Sequence, residues 1–147
     1  VGAGKYDSAP SCKFVMTARK DPIVCAYSCD GIDNPPRGAE GGLDGHKAAA
    51  WKYKIEEGET SREELPAFAE PAISVGEAIV SESSSGGGYG DPLERDPELV
   101  CHRVREGWIS KEFAKNVYGV IVNDSKEKYC SDVEATKSLR EKMKNLR

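Results

Sequence analysis

The chain has 147 residues, about the size of one domain, and its 38% apolar and 31% charged side chains leave little material for a thick core. Basic residues number 21 and acidic residues 25, a net charge of −4 with no basic block, which excludes the electrostatic footprint of a nucleic-acid or anionic-lipid binder. No apolar stretch approaches the roughly 20 residues of a spanning helix, and residues 1–12, VGAGKYDSAPSC, lack the charged-then-apolar order of a secretory signal, so the expected compartment is the cytoplasm.

One small domain is expected, with residues 1–11 a flexible lead-in, 12–92 β-rich and 93–147 helical. Residues 12–29, CKFVMTARKDPIVCAYSC, are two apolar, β-leaning runs around Arg19-Lys20-Asp21-Pro22, the pattern of a hairpin. Centred on that break, Cys12 opposes Cys29 and Met16 opposes Cys25. The next segment, DGIDNPPRGAEGGLDG at 30–45, is too rich in proline and glycine for a helix or a central strand and reads as extended loop. In AAWKYKI, residues 49–55, Trp51, Tyr53 and Ile55 alternate with Lys52 and Lys54, which predicts a half-buried strand. EEGETSREE then reads as a charged turn, and AISVGEAIVSE, residues 72–82, as a strand or hairpin kinked at Gly76-Glu77.

Helix signals dominate the last third. Asp96-Pro97-Glu98 supplies a cap acceptor, a proline at the first position and an acid at the positive dipole end, so a helix should run to 105 or 106 and stop at Gly107. Ser110 caps a second helix ending at Gly119, and Val120 to Val122 make a brief strand. Ser131-x-x-Glu134 reads as a capping box for a terminal helix with a narrow stripe of Ala135, Leu139, Met143 and Leu146. The fold class is therefore α+β. A small antiparallel sheet or barrel-like core with Gly/Pro-rich extended segments precedes two short helices, a short strand and a C-terminal helix.

The stretch SSSGGGYGDP, residues 83–92, invites a phosphate-cradle reading, but GxxxxGK[ST] is absent and an acid stands where a cation is wanted. GAGK at residues 2–5 has neither a preceding strand nor a following Ser or Thr. Close backbone packing at a tight crossing is the simpler role for these glycines. Bare backbone would also let the chain lie flat against a large partner, with Trp51, Tyr53, Tyr89, Trp108 and Tyr118 buried at the contact.

Five cysteines, an odd number, argue against a closed disulfide framework and for thiols or a metal. In the expected hairpin Cys25 and Cys29 lie roughly 13 Å apart, too far to share an ion, whereas Cys12 and Cys29 face each other. A structural zinc would take Cys12, Cys29, Cys101 and Cys130, with His102 as substitute for Cys101. The alternative is a set of packed thiols, since Cys101 sits between Val100 and Val104 in an apolar helical context. No paired carboxylates with supporting context, Ser-His-Asp arrangement or cofactor loop points to a catalytic residue. A zinc-stapled helix-turn-helix DNA reader, with Arg103, Arg105, Lys111 and Lys115 on phosphates, is a rival that the net acidity opposes.

GGGYGDPLERDPELV, residues 86–100, followed by VREGWISKEFAKNVYGVIV, residues 104–122, resembles the C-terminal signature of the hydantoinase B / 5-oxoprolinase family. NPPRG to GGLDG, SVGEAIVSES and EATKSLR are similar to further family segments, so the resemblance runs over roughly residues 12–140. Arg37 departs from it, standing where the family often has an aromatic. The resemblance implies a small, non-catalytic subunit of an ATP-dependent carboxylase of the acetophenone carboxylase type, or of a hydantoinase/oxoprolinase-type hydrolase. It also implies larger partner subunits, ASKHA-type ATP-binding chains that hold ATP and Mg and a hydantoinase B-like chain.

Overall fold

The computed structural model describes residues 1–56, 59–125 and 128–146. Eight strands precede the helices: β1 (Lys13–Thr17), β2 (Ile23–Val24), β3 (Tyr27–Ser28), β4 (Ala49–Glu56), β5 (Glu59–Glu64), β6 (Phe68–Ala69), β7 (Ala72–Ile73) and β8 (Glu77–Glu82). Four of them form one antiparallel sheet in the order β1-β8-β4-β5. β8 belongs in its middle because Ala78, Ile79 and Val80 are apolar on both faces and all three are buried. Val80 is flanked by Val15 of β1 and Trp51 of β4. The short ladders β2–β7 and β3–β6 are separate, and the sheet is open, not closed into a barrel, among the described residues.

Two expectations fail here for identifiable reasons. The run 12–29 is not a hairpin: β1 pairs with β8, while β2 and β3 pair with β7 and β6. The chain does reverse, since Cys25 Sγ lies 3.2 Å from Met16 Sδ. Strand hydrogen bonds nonetheless go to the apolar Ala78–Val80 run, because burial of side chains decides pairing more than sequence proximity does. Cys12 consequently lies against Ser83, and the Cys29 amide donates to Ala67 O. The charged segment 56–64 is also not merely a turn but contains β5, whose Glu64, Glu63 and Arg62 stand opposite Trp51, Lys52 and Tyr53. Opposite-charge and cation–aromatic cross-strand partners stabilise a polar strand that shows no apolar alternation.

The glycines answer to backbone crossing. Residues 1–8, 36–46 and 84–91 form an arch in which Tyr6 and Tyr89 exchange amide–carbonyl bonds, Ala39 donates to Gly88 O, and Gly88 donates to Leu43 O. A Cβ on Gly88 would run into the Ala3 carbonyl, and one on Gly87 into the carbonyl of Arg37. Residues 1–11, expected to be a flexible lead-in, are therefore anchored at their start: Gly2, Ala3 and Gly4 are buried.

Beyond the arch a 3-10 turn at Pro92–Glu94, capped by Asp91, leads into α1 (Pro97–Arg105) and α2 (Lys111–Tyr118). The Asp96 and Ser110 side chains accept from Glu98 N and Phe113 N, and Gly119 closes α2 at φ +62°. The hairpin β9 (Val122–Ser125) and β10 (Lys128–Ser131) follows, starting where the brief strand was expected to end. α3 (Val133–Lys144) is capped by Asp132, not Ser131. Ser131 instead donates through its hydroxyl to Glu98 Oε1 at 2.7 Å, tying the hairpin to α1. The main core is Ala3, Val100, Cys101, Ala114, Tyr118 and Val120, so the arch and the helices share one interior. A smaller cluster of Ala18, Ile73 and Ile79 lies under the sheet.

Candidate interaction surface

Two polar constellations bear on what the chain can do, and the first is structural. The Asp7 carboxylate is fully buried and lies 3.1 Å from Arg95 Nε and 3.0 Å from Arg103 Nε. Gly4 N donates to its other oxygen, and the two arginines reach on to Lys5 O and Ser8 O. Arg140 donates to Arg95 O and Tyr118 O, so α3 is fastened to the same knot. Burial pushes the Tyr118 phenol well above its ordinary value, and the neighbouring Asp7 charge adds to the shift. With one buried carboxylate shared by two arginines and Tyr118 shut from solvent, this cluster fixes the arch to the helices.

The second constellation is the sheet face carrying Lys13, Val15, Thr17, Trp51, Tyr53, Arg62, Ala78 and Val80, an open hollow of about 630 Å³. Strand alternation places these side chains together: Val15, Val80 and Trp51 share one row, and Thr17, Ala78, Tyr53 and Arg62 the next. The Arg62 guanidinium stacks 4.1 Å from the Trp51 ring centroid and Lys13 Nζ lies at 5.5 Å, so the indole is roofed by cations and only 8% exposed. Lys13 pairs with Glu82 at 3.6 Å and Arg62 with Glu64 at 2.6 Å. At the end of the sheet Glu77 holds Lys52 at 3.0 Å, and the Ser74 amide, then Lys52, keep its carboxyl below the usual range.

β1 borders that face and is exposed along its entire length, with Phe14 at 63%, Val15 at 63% and Met16 at 51%. Phe68, Val24 and Val75 are further large apolar side chains open to solvent in this half. A contiguous apolar edge of this kind is a candidate interaction surface. Sequence reasoning assigned KFVMT to an internal hairpin and missed this role. The available signal was that its central FVM is apolar without alternation, the pattern of a strand meant to be covered on both faces. Of the aromatics expected at a contact, Trp51 and Tyr118 are core residues, whereas Tyr89 and Trp108 are about half exposed.

The proposed zinc ligands lie on different elements. Cys12 is exposed before β1, Cys29 half-buried after β3, and Cys101 buried in the α1–α2 core. His102, the next residue of α1, turns the other way, with Nδ1 facing Arg105 and its ring edge-on to Trp108. The side chain of Cys130 lies outside the described part of the structure. Among the described residues no group of three or more His, Cys, Asp or Glu is placed to hold a metal ion. The helix-turn-helix reading loses its central cation, because Arg103 is 8% exposed and taken up by Asp7.

No helix among the described residues is long and apolar enough to cross a membrane. The hydantoinase B/oxoprolinase family model matches residues 1–92, from the first glycines through the arch. One subunit of a putative D-/L-hydantoinase of Pseudomonas sp. (strain NS671) is 37% identical over 66% of this chain and 18% of its own length. An uncharacterized protein of Methanocaldococcus jannaschii is 30% identical over 95% of this chain and 24% of its own. The acetone carboxylase alpha subunit of Xanthobacter autotrophicus is 27% identical over 66% of this chain and 13% of its own. The crystal structure of the ATP-dependent caprolactamase from Pseudomonas jessenii shares the fold, with a TM-score of 0.67 at 21% identity over 95% of this chain and 24% of that one. The chain thus spans about a quarter or less of the length of these relatives.

Proposed function

Because the chain belongs to the hydantoinase B/oxoprolinase family, we propose that it is a docking component of an ATP-dependent enzyme complex and has no active site of its own. One observation carries this reading: an apolar edge strand, exposed along its whole length. The arch and helices make a self-contained base, while the β1 side of the sheet is finished by the larger hydantoinase B-type polypeptide. The chemistry of the complex is bracketed by relatives from a carboxylase and from a hydantoinase: either carboxylation of a ketone such as acetophenone or opening of a cyclic amide. ATP and Mg would be held by ASKHA-type partner chains in the cytoplasm.

Isolation of the native assembly under mild conditions, followed by ATP hydrolysis assays, tests the proposal. The chain should elute with larger subunits, and ATP turnover should require either a ketone plus bicarbonate or a hydantoin-type amide. A chain that elutes alone from native extract, or that turns over either substrate unaided, overturns it.

A further inference from the structure

The proposed docking can be carried to the level of the hydrogen-bonding edge, and this step rests on the reading above. β1 has a ladder partner on one side only, β8, and among the described residues nothing pairs with its other edge. Which backbone groups face outward follows from the ladder. Ser83 N donates to Cys12 O, so Cys12 points its backbone at the β8 side. Alternation in an antiparallel pair then turns Phe14 and Met16 toward β8 and leaves the N–H and C=O of Lys13, Val15 and Thr17 facing out. Unpaired edge groups between exposed Phe14, Val15 and Met16 side chains form a template for one more strand.

The opposite edge differs. β5 offers Arg62, Glu63 and Glu64, charged residues of the kind that discourage strand addition. Cations border β1 as well, but at its ends: Lys13 at its start, and Arg19 and Lys20, both exposed and without an ion-pair partner among the described residues, just beyond Thr17. That distribution argues against a second copy as the occupant. An antiparallel self-ladder centred on Val15 would set Lys13 of each copy diagonal to Arg19 of the other, a like-charge contact at both ends of the ribbon. The geometry points to a single occupant: an extended strand of the larger hydantoinase B-type polypeptide that hydrogen-bonds Lys13, Val15 and Thr17. Alternate apolar side chains of that strand would cover Phe14 and Met16 on one face and Val15 on the other, and acidic residues would flank it to meet Arg19 and Lys20.

Amide hydrogen exchange on the full chain, alone and in the native complex, reads this directly. The amides of Lys13, Val15 and Thr17 should exchange at least tenfold more slowly in the complex, while Phe14 and Met16, already paired, change much less. Val15→Pro removes an outward donor and spares the β8 ladder, so the isolated variant should keep its circular dichroism and still lose complex affinity at least tenfold. Arg19→Glu with Lys20→Glu should weaken the complex in about 0.05 M salt and show a smaller loss in about 0.5 M salt. A complex that forms with β1 amides unprotected, or that tolerates Val15→Pro, overturns the strand addition and leaves the docking role standing. A lone chain that dimerises with protected β1 amides assigns the edge to a second copy and overturns the proposal. Absence of any complex removes the docking role itself, and the strand addition with it.

Discussion

The helical half and the sheet half use their apolar residues in opposite ways. Around α1 and α2, Val100, Cys101, Ala114, Tyr118 and Val120 are all buried with Ala3 of the arch. In the sheet half the clustered core is only Ala18, Ile73 and Ile79, with Ala50, Trp51, Ala78 and Val80 buried in the sheet itself, and the apolar side chains of β1 stand in solvent. Exposed large apolar residues of the helical half, such as Leu99, Trp108 and Leu146, fall one at a time on different segments, whereas Phe14, Val15 and Met16 are consecutive. The contrast teaches that a thin core need not mean a poorly folded chain. One half is closed internally by the Asp7–Arg95–Arg103 knot, and the other leaves an apolar edge strand uncovered among the described residues.

Breaking the knot should have the largest effect. Asp7→Asn removes the one carboxylate that faces both Arg95 and Arg103, leaving two guanidiniums about 10% exposed without a counter-charge. Loss of one partner from a buried ion pair costs about 3–5 kcal/mol, so urea denaturation should show a destabilisation of that order. A loss below about 1 kcal/mol would mean that the arch and helices are not held by this cluster. Gly88→Ala comes next, at about 3 kcal/mol, because its methyl meets the rigid Ala3 carbonyl. Gly107→Ala is the control: nothing lies within 4 Å of the added carbon, and only the left-handed φ of +73° opposes it, at about 1–2 kcal/mol. Equal losses at the two glycines would show that conformational freedom, not close approach, explains the arch.

These residues also show what the sequence could disclose. Helix boundaries were legible because capping is local: Asp96, Ser110, Gly107 and Gly119 each satisfy or terminate backbone groups within a few residues. Strand partners were not, because β1 meets β8 more than sixty residues later and that choice depends on which runs are apolar on both faces. The buried Asp7–Arg95–Arg103 cluster was invisible for the same reason, its members being ordinary charged residues until the chain brings them together. The interaction surface was half legible: the composition announced a thin core and an interface, but aromatic content pointed to Trp51 and Tyr118, which cations and helices cover from within. Ser131 was misread because two capping residues stand side by side, and Asp132 is the one whose side chain reaches the Ala135 amide.

A pH titration separates the halves more finely. The folded Tyr118 holds its proton above the ordinary phenol value of 10.0. The unfolded chain gives that proton up near pH 10, so the stabilising contribution is complete below this point. It is lost as pH rises above it, by about 1.4 kcal/mol per pH unit until the folded phenol also ionises. Tyr118→Phe should therefore flatten the alkaline fall in stability relative to the native chain, and a variant with an unchanged slope would place the proton loss elsewhere.

The smallest expected effect is the most informative for the sheet. Phe14→Ser removes a large aromatic from β1, a change that would be severe in a core, yet at 63% exposure it should alter the stability of the isolated chain by less than about 0.5 kcal/mol. The same substitution should weaken the native complex, since the ring that solvent sees in isolation is what a covering strand would bury. If the isolated chain instead loses several kcal/mol, β1 is already packed in solution and the two halves are alike. If stability and assembly are both untouched, the apolar edge serves no contact, and the asymmetry between the halves has no functional meaning.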